Sequence, residues 1–279
     1  MKLKIRPLFF AIIIAAFALF FVFEALSSQH LTYHFSFVGY GGTLKNHNIS
    51  ILGIPMYWFL MLIGLLVTII LSLKSKKFYN IHTAKAVVLP IIFIVISYIG
   101  AKILYLLENF ASTRKFSLEI DGLSLYGAIF FVLIFTPLIS LVFKIKTRAL
   151  YDYFTPFGLV LLSFVRTGCF FNGCCEAVTL WDGNNPIILP VQLFEVCFDL
   201  LILDYCFKIK NKYPQSGLMY PCFMLLYGIC RFVLEFLRKG NDVFLIFSTG
   251  QIFSVIAVVI SVLLLLALKK FQNLKCLSA

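Results

Sequence analysis

The sequence predicts an all-α polytopic membrane protein of about eight transmembrane helices, and three observations carry that prediction. Apolar runs recur along the 279-residue chain, and each is long enough, at about 18 residues or more, to cross ~30 Å of hydrocarbon as a helix. Hydrophobic side chains make up 61% of the residues and charged ones 13%, with a mean hydropathy of +0.99, too little charge to clothe the exterior of a soluble fold. The cations, finally, crowd into alternate connections between the runs, as the positive-inside rule requires of a polytopic chain. A secreted globule, a disordered chain and a cytosolic enzyme are excluded.

The spans follow in order. Residues 8–26 form an apolar run behind Lys2, Lys4 and Arg6 that exits at Ser27-Ser28-Gln29. It reads as an uncleaved anchor; a signal peptide is the alternative, although Phe23-Glu24-Ala25 is a poor small-x-small cleavage site. Residues 51–73 stop at Lys74, Lys76 and Lys77, residues 86–107 start behind Lys85, and residues 123–143 stop at Lys144. Residues 153–171 carry Arg166 near their end, residues 191–207 run from Pro190 to Lys208, residues 218–237 hold Arg231 and Glu235, and residues 247–268 stop at Lys269 and Lys270. A cytoplasmic N-terminus puts Lys2, Lys4, Arg6, Lys74, Lys76, Lys77, Lys85, Lys144, Lys146, Arg148, Lys208, Lys210, Lys212, Lys269, Lys270 and Lys275 inside. Only Lys45, Arg114, Lys115, Arg238 and Lys239 lie outside, so both termini are expected in the cytoplasm. The net charge of +12 therefore reports topology, and no nucleic acid partner is expected. The domain division is 1–50 for the anchor helix and an outer loop, 51–270 for the membrane domain and 271–279 for a cytoplasmic tail. The outer segments 27–50 and 172–190 are long enough for small outward-facing cap loops, the second through the turn-forming Asp182-Gly183-Asn184-Asn185-Pro186.

Function must come from polar groups that hydrocarbon excludes, because an ionised side chain near the bilayer centre costs roughly 3 kcal/mol or more unless paired, hydrated or used. Those groups are Lys102, Arg166, Glu195, Asp199, Asp204, Arg231 and Glu235. Tyr227, Arg231 and Glu235 are spaced by four, which stacks them on one helix face. A self-neutralising ion pair would explain Arg231 and Glu235 alone. Two arginines in one apolar bundle point instead to an anionic ligand, most simply a lipid headgroup, because the guanidinium is permanently charged and its fork matches phosphate. Glu195 and Asp199 are the residues placed to balance them.

The stretch Arg166-Thr167-Gly168-Cys169-Phe170-Phe171-Asn172-Gly173-Cys174-Cys175 closes a span, and Pro190-Val191-Gln192-Leu193-Phe194-Glu195 opens the next. Together they resemble the prolipoprotein diacylglyceryl transferase family. The stretch from Tyr57 to Gly64, Asp121-Gly122-Leu123-Ser124-Leu125-Tyr126-Gly127, Tyr227-Gly228-Ile229-Cys230-Arg231 through Glu235-Phe236-Leu237-Arg238, and Gly250-Gln251 fit in the same order. The resemblance covers about residues 51–270 and leaves the first span as an addition to a seven-helix core. It implies transfer of a diacylglyceryl group from phosphatidylglycerol to the cysteine thiol of a preprolipoprotein lipobox, at the outer face of a bacterial plasma (inner) membrane, with no cofactor or metal. It also implies Arg166 and Gly168 as lipid-binding residues, Arg231 as stabiliser of the leaving phosphate, and Tyr57, Tyr227, Asn172 and Glu235 as orienting and hydrogen-bonding groups. Tyr126 stands where the family carries the histidine that takes the thiol proton, and a phenol with an ordinary pKa of ~10 is a poor base for a thiol of ~8.5. Glu176 or a thiolate relay are the substitutes in the chain. Further departures are Cys169, Cys174, Ala177, Leu189 and Lys102, in place of asparagine, an acidic residue, glycine, histidine and arginine.

Cys197, Cys206, Cys222 and Cys230 fall within spans, where cysteine behaves as a small apolar residue, and Cys276 falls in the cytoplasmic tail. Cys169, Cys174 and Cys175 cluster at the outer face, where oxidation is permitted. A disulfide, thiol chemistry and a metal site are all compatible with their spacing, although none of His30, His34, His47 or His82 is near in sequence to complete a metal site. Two other readings thus stand beside transfer: an intramembrane thiol oxidoreductase using Cys169, Cys174 and Cys175, and a non-enzymatic lipid-binding or transport protein. The triplet Asn48-Ile49-Ser50 matches a glycosylation sequon that a bacterial setting leaves idle.

Overall fold

The computed structural model describes residues 50–51, 54–113, 122–172, 191–238, 243–244 and 247–277. The span expected at 8–26, the cap loops expected at 27–50 and 173–190, and with them Cys174, Cys175, Glu176 and Leu189, lie outside the described residues. Seven helices are described: α1 (Met56–Tyr79), α2 (Thr83–Thr113), α3 (Leu125–Phe143), α4 (Thr147–Asn172), α5 (Val191–Lys212), α6 (Met219–Glu235) and α7 (Thr249–Leu277). Two-residue antiparallel ladders introduce the first and last of them. In one, β1 (Ser50–Ile51) pairs β2 (Ile54–Pro55), and in the other β3 (Val243–Phe244) pairs β4 (Phe247–Ser248).

Five helices, α1, α2, α3, α4 and α7, are long and apolar enough to cross a membrane. The two that fall short by composition or length are α5, which carries Glu195, Asp199 and Asp204, and α6, which has 17 residues. They are also the helices that carry most of the ionisable groups singled out in the sequence. The helices α1, α2, α4, α5 and α7 run past the C-terminal ends of their expected spans, because hydrophobicity marks the hydrocarbon limit whereas a helix continues until its carbonyls are capped; α3 and α6 stay within theirs. In α1, Lys76 and Lys77 occupy the last turn, where cations favour the dipole, and the chain turns off only at Asn80, in the left-handed region at φ 54°.

The burial pattern is that of a chain in lipid. Trp58, Leu62, Leu66 and Ile70 on α1, and Ile91, Val95, Ile99, Ile103 and Leu107 on α2, form fourfold-spaced stripes of exposed apolar side chains. Thr68, Ser72, Thr136, Asp152, Arg166, Glu195, Arg231 and Ser261 are buried. The central helix is α4, which packs against α1, α3, α5 and α6, while α7 lies on α6 and α2 on α3. At the last contact Gly100 faces Gly127. A Cβ on Gly127 would come within 2.2 Å of the Gly100 carbonyl oxygen, so only glycine lets the two backbones approach this closely.

Three helices carry a proline beyond their first turn, and each frees the carbonyl four residues earlier from its helical bond. Pro90, Pro137 and Pro156 free the carbonyls of Ala86, Leu133 and Asp152. Each of those oxygens accepts a hydroxyl from a neighbouring helix: Ser72 donates to Ala86, Tyr151 to Leu133 at 2.5 Å and Tyr79 to Asp152 at 2.9 Å. The prolines thus cost no unsatisfied backbone in a medium that supplies no water. Two of the three bonds lie at the lysine-rich end of the bundle, where the Asp152 carboxylate also accepts the Gly217 and Met219 backbone N–H groups at 2.8 and 3.0 Å. An aspartate of α4 thereby caps the start of α6. At the opposite end, the close of α4 and α6 meets the start of α1, α5 and α7.

Candidate active site

At that opposite end Arg166 comes from α4, Glu195 from the second turn of α5, and Tyr227, Arg231 and Glu235 from one face of α6. Glu195 Oε1 is the hub. It lies 3.1 Å from Arg166 Nη2 and 3.4 Å from Arg231 Nη1, and it accepts the Tyr227 hydroxyl at 2.7 Å. The second Nη of Arg231 lies 3.0 Å from Glu235 Oε2, which Arg238 Nη1 also approaches at 3.4 Å. All five of these side chains apart from Arg238 are buried. The two arginines therefore converge from separate helices on one carboxylate oxygen, in a low-dielectric site where such interactions are strong.

Asp199 sits one turn beyond Glu195 on α5. It is 0% exposed, and neither of its carboxylate oxygens has a hydrogen-bond partner among the described residues. Its electrostatic neighbours are Glu195, Arg166 and Arg231.

The start of α7 supports the centre from behind. Ser248 and Gln251 form a capping box: the Ser248 N–H donates to Gln251 Oε1 at 3.0 Å and the Gln251 N–H to Ser248 Oγ at 3.1 Å. Between them Gly250 lies against Glu235, where a Cβ would fall 2.6 Å from Oε1. Only a bare backbone fits beneath that carboxylate. Gly168 plays the same part for Tyr57, since a Cβ there would lie 3.0 Å from Tyr57 Cδ2 and 3.3 Å from its Cα. Tyr57, at the start of α1, is thus packed over the backbone two residues beyond Arg166.

Tyr126 lies beside the centre, its ring 6.2 Å from that of Tyr227. Its hydroxyl is 2.5 Å from Ser254 Oγ, and the single hydroxyl proton of Ser254 goes to the Gly250 carbonyl at 2.7 Å. Ser254 therefore accepts and Tyr126 donates. The phenol proton is committed to the chain that runs through Ser254 to the Gly250 carbonyl, the arrangement of an orienting group.

Of the residues singled out from sequence, Arg166, Tyr227, Arg231, Glu235 and Tyr126 are brought together, and Gly168 and Tyr57 meet next to them. Asn172 is the last residue of α4, six positions beyond Arg166, and its side chain lies outside the described residues. Cys169 is buried near the end of α4. The sequence reading set Glu195 and Asp199 against the two arginines as balancing charges; that a single oxygen of Glu195 is shared by both arginines shows only in three dimensions. Ser254 carried no signal in the sequence. Among the described residues no three His, Cys, Asp or Glu side chains converge as metal ligands would.

The fold and this centre define a helical membrane protein with an arginine–carboxylate cluster buried at one end. Comparison with known proteins makes the class particular: a sequence model of the prolipoprotein diacylglyceryl transferase family matches residues 47–267, and the chain belongs to that family. It is similar to the phosphatidylglycerol–prolipoprotein diacylglyceryl transferase of Clostridium tetani, 24% identical over 76% of this chain and 93% of the relative. It is 28% identical to phosphatidylglycerol–prolipoprotein diacylglyceryl transferase 2 of Clostridium perfringens over 76% of this chain and 90% of the relative. The corresponding transferase of Finegoldia magna is 27% identical over 79% and 94% of the two chains.

Proposed function

We propose that this protein transfers a diacylglyceryl group from phosphatidylglycerol to the lipobox cysteine thiol of a prolipoprotein, at the outer face of a bacterial plasma membrane. The observation that carries the reading is the meeting of Arg166 and Arg231 on a single acceptor oxygen, at 3.1 and 3.4 Å. Two guanidiniums aimed at one anionic oxygen are what a phosphodiester leaving group requires, since charge develops on the phosphate as the carbon–oxygen bond breaks. Family membership and the relatives' names supply the donor and acceptor classes. In this reading Arg166 and Gly168 hold the lipid, Arg231 stabilises the departing glycerol phosphate, and Tyr57, Tyr227, Asn172 and Glu235 orient the reactants. Tyr126 holds α3 to α7 beside them. The thiol sulfur attacks the terminal glyceride carbon, the carbon–oxygen bond to phosphate breaks, and the thiol proton leaves with the glycerol phosphate or by way of a neighbouring carboxylate.

The seven described helices together with residues 8–26 make the eight spans of this reading, with the lysine-rich end and both termini in the cytoplasm. The test is incubation of membranes containing the protein with phosphatidylglycerol and a lipobox peptide, followed by mass spectrometry. The expected products are a diacylglyceryl thioether and glycerol phosphate, and Arg166→Ala abolishes both. Phosphatidylglycerol bound but unchanged by the intact protein would make this a lipid-binding protein instead.

A further inference from the structure

Glu195 Oε1 accepts from three groups at once: Arg166 on α4, and Tyr227 and Arg231 on α6. An oxygen of a phosphodiester brings the same charge and the same acceptor geometry to the same donors. Among the described residues, the donors that such an oxygen would need are already taken by Glu195. Three carboxyl groups, Glu195, Asp199 and Glu235, already face three guanidiniums, Arg166, Arg231 and Arg238, and Asp199 is buried without a single hydrogen bond among the described residues. A phosphate added beside all three would be a fourth acidic group in a site that cannot satisfy the third. It must therefore enter by exchange. Glu235 is not the group that leaves, because it is wedged on the backbone of Gly250 and held by Arg231 and Arg238. Among the described residues, Glu195 alone spans the two arginines.

We propose that Glu195 is a positioning residue that keeps the seat of the lipid phosphate: in the resting protein it holds Arg166 and Arg231 together, and the phosphodiester of the bound lipid displaces it from both. This deepens the transfer reading and rests on its assignment of the two arginines to phosphate.

The test is steady-state kinetics of Glu195→Gln in membranes with phosphatidylglycerol as the varied substrate. Removing a competing charge worth one charge-assisted hydrogen bond lowers the KM for phosphatidylglycerol about tenfold. The effect falls on KM rather than kcat, because the side chain at position 195 has already left both arginines once the lipid is bound. A purely structural brace predicts the opposite, a raised KM as the arginines separate, and an unchanged or raised KM in an active variant overturns the proposal. A second measurement does not need the variant to fold. In a structure of the wild-type protein with phosphatidylglycerol bound, the distance from Arg166 Nη2 to Glu195 Oε1 opens from 3.1 Å to beyond hydrogen-bonding range. Phosphate bound with both Glu195 pairs intact overturns the proposal. A wild-type protein that shows this displacement yet forms no thioether removes the transfer reading alone.

Discussion

Gly250→Ala isolates the contribution of one carboxylate without touching a charged residue. The added Cβ would lie 2.6 Å from Glu235 Oε1, 2.7 Å from its Cδ and 3.1 Å from Oε2. A carbon in ordinary contact stands about 3.5 Å away, so the carboxyl group retreats by about 0.8 Å. Glu235 Oε2 is 3.0 Å from Arg231 Nη2, and a retreat of that size carries the pair outside hydrogen-bonding range. The loss is one charge-assisted hydrogen bond, about 1.5–3 kcal/mol. If it is felt at the step that Arg231 serves, kcat/KM for thioether formation falls about 10- to 150-fold. Stability responds less, because alanine is favoured over glycine in a helix by about 0.5–1 kcal/mol, which offsets part of the lost bond. Activity and thermal unfolding in detergent are measured on the same preparation. Gly158→Ala is the control, since a Cβ there meets nothing within 4 Å: activity should stay at the wild-type value, with stability unchanged or raised by the same helix preference. Wild-type kcat/KM in Gly250→Ala would refute the claim that Glu235 holds Arg231 in place.

Two further outcomes follow from the hydroxyl partners. Tyr126→Phe keeps the ring and removes a proton donated to Ser254, so kcat/KM should fall less than about tenfold, the worth of one neutral hydrogen bond; a loss of a hundredfold or more would show Tyr126 in direct proton transfer. Tyr79→Phe leaves the Asp152 carbonyl freed by Pro156 without its hydroxyl, and it should lower stability by about 1–3 kcal/mol, read as thermal unfolding, with kcat unchanged in the protein that remains folded.

The helical membrane architecture was legible because hydrophobicity is summed over many residues, and no single error moves it. The helix ends were less legible: α1 and α7 run past their apolar stretches because capping, as at Asn80, obeys backbone geometry and not hydropathy. The site was legible as a set of residues whose presence in a bilayer demands a reason. Fourfold spacing placed Tyr227, Arg231 and Glu235 on one face, as the ion pair between the last two shows. What spacing cannot reveal is which partner comes from another helix. Arg166 and Glu195 are 29 positions apart in sequence and meet only because α4 and α5 pack antiparallel. Tyr126 was read as the residue in the place of a base, and its bond to Ser254, 128 positions away, turns it into a donor.

The two ends of the bundle show how a structural charge in a membrane differs from a working one. At the lysine-rich end two of the carbonyls that prolines expose are reached by hydroxyls, and both oxygens of Asp152 are taken by backbone N–H groups. A self-neutralising cluster at the other end would look the same. Instead, one oxygen of Glu195 serves three donors while Asp199, one turn away and equally buried, has none among the described residues. An arrangement optimised for folding alone would spread those donors over both acids, because each unsatisfied buried carboxyl carries a cost of several kcal/mol. Concentrating them keeps two guanidiniums aimed at one point, the point that the proposed transfer gives to a phosphate oxygen.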